Sequence, residues 1–374
     1  EAAMETPELI EKDFWNSERC CVLPPPGHEG QAEEIRDALD DQESVVFATS
    51  GSCGPPKWVM FQRSALLASA RAVNQLLEVS ESDRFMVALP LYHVGGFGVV
   101  ARAYDAKCHV RSLEGRWDAR GFKEAIESDH STLTSLVPTQ IHDLVALGLK
   151  APESLRAIIV GGGKLDEKEG QCARDLGWPV LQSYGMTEAG SQIATADLAS
   201  LDEPFRAARL PILPIWEFRT SKEGCLEFRG PALCTYYIQE HRGEMCCRKA
   251  VNKEGWFRSS DLVQITGNEL TVNGRADRKV KILGELVDVE ALEREIKEYL
   301  DYESAYLLAL PDSRRGTRVV LVVGEDFNRS SGLLEKLNEG RVGFLRINAI
   351  ESVGQLPRTE MGKVDVTALR ELLS

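Results

Sequence analysis

The apolar positions of this chain fall into short unbroken runs, most of them closed by glycine or proline, with helical-period stretches between some of them. Runs at 44–48, 85–91, 135–140, 155–160 and 180–183 read as strands, the first of them buried. Residues 31–39 predict a short helix with a charged face. Residues 64–77 predict an amphipathic helix carrying Leu66, Leu67, Ala70, Val73, Asn74 and Leu77 on neighbouring positions. Two strands that end in glycine-bearing loops, at 161–163 and 184–188, suit a ligand at the carboxyl edge of an α/β sheet. From 205 to 265 the period shortens. Strand-like pieces around Trp216, Cys225 and Tyr236 alternate with glycine turns and predict a small β subdomain. A helix follows at 289–300, with Val289, Leu292, Ile296 and Leu300 on one stripe. Strands at 305–310 and 319–323 and a helical piece at 333–338 then complete a small α+β unit.

At 374 residues the chain has room for two or three compact domains. Its 44 basic and 58 acidic side chains give a formal charge of −14, which argues against a nucleic-acid partner. No run of eighteen apolar residues predicts a membrane span, and the first residues have neither the basic start nor the apolar core of a signal peptide. Nine scattered cysteines, including the neighbours Cys20-Cys21 and Cys246-Cys247 and no C-x-x-C pair, read as reduced thiols of a cytoplasmic protein.

Several stretches carry candidate chemistry, and each has a plainer reading. Thr49-Ser50-Gly51-Ser52-Cys53-Gly54-Pro55-Pro56-Lys57 follows a strand with hydroxyls, glycines and a lysine, the makings of a cradle for phosphate oxygens. The spacing is not that of a Walker loop, and an ordinary strand-connecting turn is the alternative. His93, beside Gly95 and Gly96, reads as a structural hydrogen-bonder ahead of a catalyst. Arg102 lies inside an apolar helical run; it snorkels to the surface or presents a fork to a substrate carboxylate. Glu188 could hold Mg²⁺ beside substrate phosphates or be an acid at a helix N-terminus. Asp261 suits two ribose hydroxyls or a turn, and Lys363 alone would read as solvated surface.

Five ordered stretches tip these readings. They are Thr49 to Lys57, Leu89-Pro90-Leu91-Tyr92-His93, Ser183-Tyr184-Gly185-Met186-Thr187-Glu188, Gly274-Arg275-Ala276-Asp277 and Pro357-Arg358-Thr359-Glu360-Met361-Gly362-Lys363. Together they resemble the adenylate-forming superfamily of acyl-CoA synthetases, aryl-acid ligases, luciferases and adenylation domains, over nearly the whole chain. The resemblance implies a large α/β plus β N-terminal domain, 1–276, with a shortened N-terminus. A small mobile α+β lid, 277–374, would carry the catalytic lysine. It implies ATP, Mg²⁺ and coenzyme A as reactants. Thr49, Ser50, Gly51, Ser52, Gly54 and Lys57 would cradle phosphate, with Gly161, Gly162, Gly163, Gln182, Ser183, Tyr184 and Gly185 flanking the adenine. Thr187 would touch phosphate oxygens, Glu188 would hold Mg²⁺, and Asp261 and Arg275 would bind ribose or phosphate. Asp277 would be the hinge, Gly284 and Glu285 would line the pantetheine tunnel, and Lys363 would bridge carboxylate and phosphate.

The sequence departs from the family's usual residues at Cys53, Trp58, Ser260 and Arg278. The run from His93 to Arg102, with Val137-Pro138-Thr139-Gln140, looks most like the o-succinylbenzoate–CoA ligases of menaquinone synthesis. By that likeness His93, Gly96, Arg102, Thr139 and Gln140 line the acid pocket. Another acyl- or aryl-acid–CoA ligase, a carrier-loading adenylation domain and an inactive nucleotide-binding regulator are the rival readings. Oligomeric state is left open.

Overall fold

The computed structural model describes residues 6–39, 43–49, 57–241, 244–300, 302, 304–312, 314–325, 327 and 331–373. Its centre is a six-stranded sheet in the order His109–Ser112, Arg84–Val87, Leu133–Leu136, Ala157–Val160, Val180–Met186, Ser191–Thr195. The first five strands are parallel and the last is antiparallel. Successive side chains point to opposite faces, and the cores follow that alternation. Phe85, Val87, Leu133, Ala157 and Ile159 enter one core, and Met86, Leu136, Ile158 and Val160 enter another. The helices Arg63–Leu76 and Val94–Ala106 supply the first core, and Ala119–Asp129, Pro138–Ala146 and Glu167–Asp175 flank the second.

A second sheet runs Cys20–Leu23, Ser44–Thr49, Lys57–Phe61, Tyr236–His241, Glu244–Lys249. The piece at Tyr236, expected in the small β subdomain, pairs instead with Lys57–Phe61. Composition does not reveal this, because the partner strand lies far away in sequence. A third, antiparallel sheet holds Leu210–Pro211, Glu269–Arg275, Phe257–Thr266, Cys225–Arg229 and Glu217–Thr220.

Three boundaries differ from expectation. The strand expected at 85–91 ends at Val87, before the turn that Pro90 introduces. The run at 135–140 breaks at Val137, because Pro138 occupies the first turn of a helix, where its missing N–H is not needed. Thr139 and Gln140 therefore sit on that helix and not at a strand end. The strand from Val180 continues through Tyr184-Gly185-Met186 before the 3-10 turn Thr187–Ala189.

Beyond Arg275 the architecture is smaller. A hairpin, Lys279–Ile282 with Glu285–Asp288, leads into the helix Val289–Leu300. A three-stranded sheet, Ala305–Asp312, Gly316–Gly324 and Ala349–Val353, is covered on its two faces by separate cores. The last strand and the helix Val366–Leu372 are additions to the sequence reading. Among the described residues, the cores of the first three sheets extend no further than Leu270, and those of the small unit begin at Val280.

Candidate active site

Thr49 and Lys57 face each other in register on the two antiparallel strands of a hairpin. Ser50, Gly51, Ser52 and Gly54 lie outside the described residues. Lys57 is exposed at the mouth of the hairpin.

The strand Val180–Met186 supplies the next group. Gly185 is required there by contact, because a Cβ on it would lie 1.7 Å from the carbonyl oxygen of Ser191. The turn that follows presents Thr187 and Glu188. Glu188 Oε1 accepts a hydrogen bond from the Tyr237 hydroxyl at 2.7 Å, which fixes the carboxylate's direction. Burial, followed by the Glu188 charge, raises the Tyr237 pKa, so the phenol stays a donor. Gln182 and Ser183 are buried beneath the glycine loop. The Gln182 amide donates to the carbonyls of Val160, Gly163 and Ser183 and accepts from Leu165 N, and Ser183 Oγ donates to Val160 O. Both side chains shape the 161–163 loop from below, while Gly162 and Gly163 are exposed above it.

Asp261 lies within the strand Phe257–Thr266 and not in a turn, the plainer of its two sequence readings. Its Oδ2 accepts from the Tyr184 hydroxyl at 2.5 Å and its Oδ1 from Arg275 Nη1 at 3.1 Å. Arg275 also forks onto Asp277, at 2.8 and 2.5 Å. That hydrogen-bonded pairing is the first cause of the raised Arg275 pKa and of the lowered Asp277 pKa. The adjoining Arg278 points the other way. It donates to Glu293 at 2.7 Å and to the Tyr306 hydroxyl at 2.6 Å, with its guanidinium over the Tyr306 ring.

The expected acid pocket is built on the helix Val94–Ala106. His93 is the residue before its first turn. Burial, and then the nearby Lys363 charge, lower the His93 pKa to about 4, so the ring is neutral at pH 7. Gly96 makes a close turn possible, since a Cβ there would lie 2.2 Å from the Pro90 carbonyl oxygen. Arg102 is 2% exposed. Its Nη2 donates to Ser135 Oγ at 2.8 Å, while its Nε is buried without a partner among the described residues. Burial pulls its pKa down to about 10, which still leaves a cation at neutral pH. A buried cation held by a neutral hydroxyl, with a donor unused, is suited to a carboxylate arriving from outside. Gln140, in contrast, spends its amide on Val137 N and the Ala88 carbonyl. Thr139 faces Gly362, whose added Cβ would lie 2.5 Å from Thr139 Oγ1.

That contact brings in the C-terminal loop. Thr359 N donates to Lys363 O, Gly362 N to Thr359 O, and Arg358 Nη1 to Gly362 O, which folds 358–363 into a tight turn. Gly362 has φ of +72°, a conformation that favours glycine. Protein atoms crowd Lys363 although part of its surface stays open to water. Crowding first, and then the Arg275 charge, lower its pKa, while Asp261 and Glu188 act to raise it. Lys363, Glu188, Asp261, Arg275 and His93 thus form one electrostatic neighbourhood. Gly284 and Glu285 do not join it. They stand in an exposed hairpin turn, with nothing within 4 Å of a Cβ added at Gly284.

Tyr237 and Ser135 are missed by the sequence reading. Tyr237 gives no local signal, whereas Ser135 could have been sought as the neighbour that any buried arginine needs. Among the described residues no cluster of three His, Cys, Asp or Glu could hold a metal by itself. Mg²⁺ commonly uses one or two carboxylates with substrate phosphates, and the single directed carboxylate of Glu188 fits that pattern. No helix among the described residues is long and apolar enough to cross a membrane.

Known proteins resemble the chain over most of its length. The 2-succinylbenzoate–CoA ligase of Enterococcus faecalis is 25% identical over 340 residues, covering 87% of this chain and 69% of that protein. The indoleacetate–CoA ligase of Aromatoleum aromaticum is 29% identical over 378 residues, covering 94% and 73%. The solved o-succinylbenzoate CoA synthetase of Bacillus subtilis, in complex with the acyl-adenylate intermediate OSB-AMP, superposes with a TM-score of 0.73 at 22% identity. That match covers 98% of this chain and 81% of the other, and it speaks for the fold. The family model for AMP-binding enzymes matches residues 4–237, and the chain belongs to that family.

Proposed function

We propose that the protein is an ATP-dependent acid–CoA ligase that works through an acyl-adenylate and releases AMP and pyrophosphate, with o-succinylbenzoate as its acid. The observation that carries the reading is the pairing of two cationic features. Lys363 stands among Glu188, Asp261 and Arg275, where a nucleotide phosphate and a carboxylate would meet. Arg102 stands buried and, among the described residues, without a carboxylate hydrogen-bond partner, suited to an acid's second carboxylate. The names of the relatives support the same class.

In the first step the substrate carboxylate attacks the α-phosphorus of ATP and pyrophosphate leaves. Both reactants are anions, so the site must neutralise and align them. Lys363 bridges the two as negative charge shifts. His93, neutral at pH 7, shapes the pocket without adding a competing charge. Arg102 anchors the far carboxylate, and Asp261 receives the ribose hydroxyls. Mg²⁺ bound at Glu188 would offset phosphate charge. In the second step the CoA thiolate attacks the activated carbonyl and AMP leaves. Lys363 blocks that approach, so the unit 277–374 turns about Asp277, withdraws the lysine and brings in the Gly284–Glu285 turn. The exposed state of that turn and the contacts of Gly362 with Thr139 and of Met361 with Gly95 and Gly162 support assigning this structure to the first orientation. The scattered cysteines support a reducing compartment, the cytoplasm.

The test is CoA-thioester formation with ATP and Mg²⁺ over a panel of acids, in wild type, Arg102→Ala and Lys363→Ala. Succinylbenzoate should be the best acid, and Arg102→Ala should lose it selectively. Lys363→Ala should lose adenylate formation more than thioester formation from preformed adenylate. Turnover of a monocarboxylate with succinylbenzoate inert would keep the ligase class and remove Arg102 as the anchor. The indoleacetate relative makes that the second reading to test.

A further inference from the structure

Gly95, Gly98 and Arg102 stand at i, i+3 and i+7 of the helix Val94–Ala106 and so share one face. A Cβ at Gly98 would lie 3.6 Å from Ser191 Oγ and 3.8 Å from Arg102 Nη1. A Cβ at Gly95 would lie 3.4 Å from Leu89 Cδ1 and 3.6 Å from Met361 Cε. This glycine-bearing face runs for roughly 10 Å of helix. Arg102 closes the inner end and Met361 stands over the outer one.

Met361 is partly buried yet belongs to none of the hydrophobic cores. Its methyl group instead hangs over two glycines, Gly95 and Gly162, at 3.6 and 3.5 Å from the Cβ positions they lack. A flexible thioether in such a setting has apolar surface to spare and can adapt to a guest. It is also tied to the lysine. The turn that binds Gly362 to Thr359 and Arg358 makes Met361 and Lys363 parts of one small rigid piece.

We propose that Met361 is a specificity-determining residue. It forms the lid-borne wall of the acid pocket beside the reacting carboxylate, so that the acid's shape is read as Lys363 is delivered. This inference rests on the ligase reading above. An acid too bulky next to its carboxylate displaces Met361 and carries Lys363 away with it. One too slender leaves the thioether unpacked. Of its two glycine neighbours, Gly162 borders the expected adenine site, whereas Gly95 lies on the helix face that leads to Arg102, and this second contact points to the acid.

The test uses the full chain in pyrophosphate exchange, with acids graded in bulk beside the carboxylate. Wild type is compared with Met361→Ala, Met361→Leu and Met361→Phe, and thioester formation from preformed acyl-adenylates is followed in parallel. Met361→Ala should move kcat/KM toward bulkier acids by about tenfold or more relative to wild type, the scale of a methylene or two in a pocket. Met361→Phe should move it toward slender acids, and Met361→Leu should keep the order. The KM for ATP should not change, and the second half-reaction should keep the wild-type ranking. An unchanged order of acids in both Met361→Ala and Met361→Phe overturns the proposal. A raised KM for ATP in those variants would then assign Met361 to the nucleotide, and an unchanged one would assign it no contact. Absence of exchange with every acid in wild type overturns the ligase reading and this inference with it.

Discussion

In the proposed first step Lys363 must be charged to join two anions, and its surroundings pull in opposite directions. Crowding and Arg275 favour the neutral amine, and Asp261 and Glu188 favour the ammonium. The net direction is down, so the amine loses its proton at a lower pH than an ordinary lysine. The alkaline limb of kcat/KM for pyrophosphate exchange should therefore fall below the usual lysine range. Asp261→Asn removes a charge that holds the proton on, and the limb should move lower still. A limb that stays in place would separate the lysine's charge from the chemistry. Much of this neighbourhood is legible in the sequence, but through motifs and not through single residues. Glu188, Asp261 and Lys363 each have a bland reading alone, and only their order along the chain identifies them. Arg102 is visible as a charge in an apolar helix; its burial is not, since that depends on Ser135 from a separate strand. Gln140 and Gln182 read in the sequence as pocket residues, yet in the structure their amides hold backbone, which only the hydrogen bonds reveal.

The decisive element is the short 3-10 turn Ala276–Arg278. On one side Arg275 ties Asp277 to Asp261 in the large unit. On the other, Arg278 ties into the small unit through Glu293, Tyr306 and the Leu307 carbonyl. For the proposed turn of the small unit, these ties narrow the pivot to the link between Asp277 and Arg278. An arginine at 278, where the family commonly has an acid, makes sense as an anchor for the moving side. Arg278→Ala leaves the part-buried Glu293 with only Lys297 as an ion-pair partner among the described residues. It should destabilise the small unit by about 1–3 kcal/mol. Arg278→Lys should recover only part of that, because lysine lacks the planar fork that stacks on Tyr306. Calorimetry should show the loss in the transition that ATP does not shift. An unchanged thermogram would remove Arg278 from the pivot. Sequence periodicity finds the helix Val289–Leu300 beside this turn, because its apolar stripe is regular. It misses the strand Ala349–Val353, whose five residues mix Glu351 and Ser352 with apolar neighbours and owe their pairing to Gly316–Gly324.

At the scale of the whole molecule, two units with separate cores meet through a few small contacts. Glu290 accepts from Arg275 N, Gly362 sits against Thr139, and Met361 lies over two glycines. Interfaces of this kind separate easily, as a two-orientation cycle requires. The hairpin turn of the small unit bears on that cycle. Leu283 and Leu286 are 52% and 64% exposed there, and Leu283 has φ of +54°. Full burial of a leucine is worth about 1.5–3 kcal/mol. If the second orientation covers this turn, the swing away from Lys363 is driven partly by the withdrawal of these side chains from water. Such a drive weakens on cooling. The enzyme should then behave in the cold as a mechanism stalled between its halves. Adenylate formation would continue while thioester release lagged, and enzyme-bound acyl-adenylate would accumulate in quenched reactions near 5 °C. Leu286→Ser should produce the same build-up at room temperature. On that reading, the warmth at which this protein works would be set in part by two leucines left out in the water.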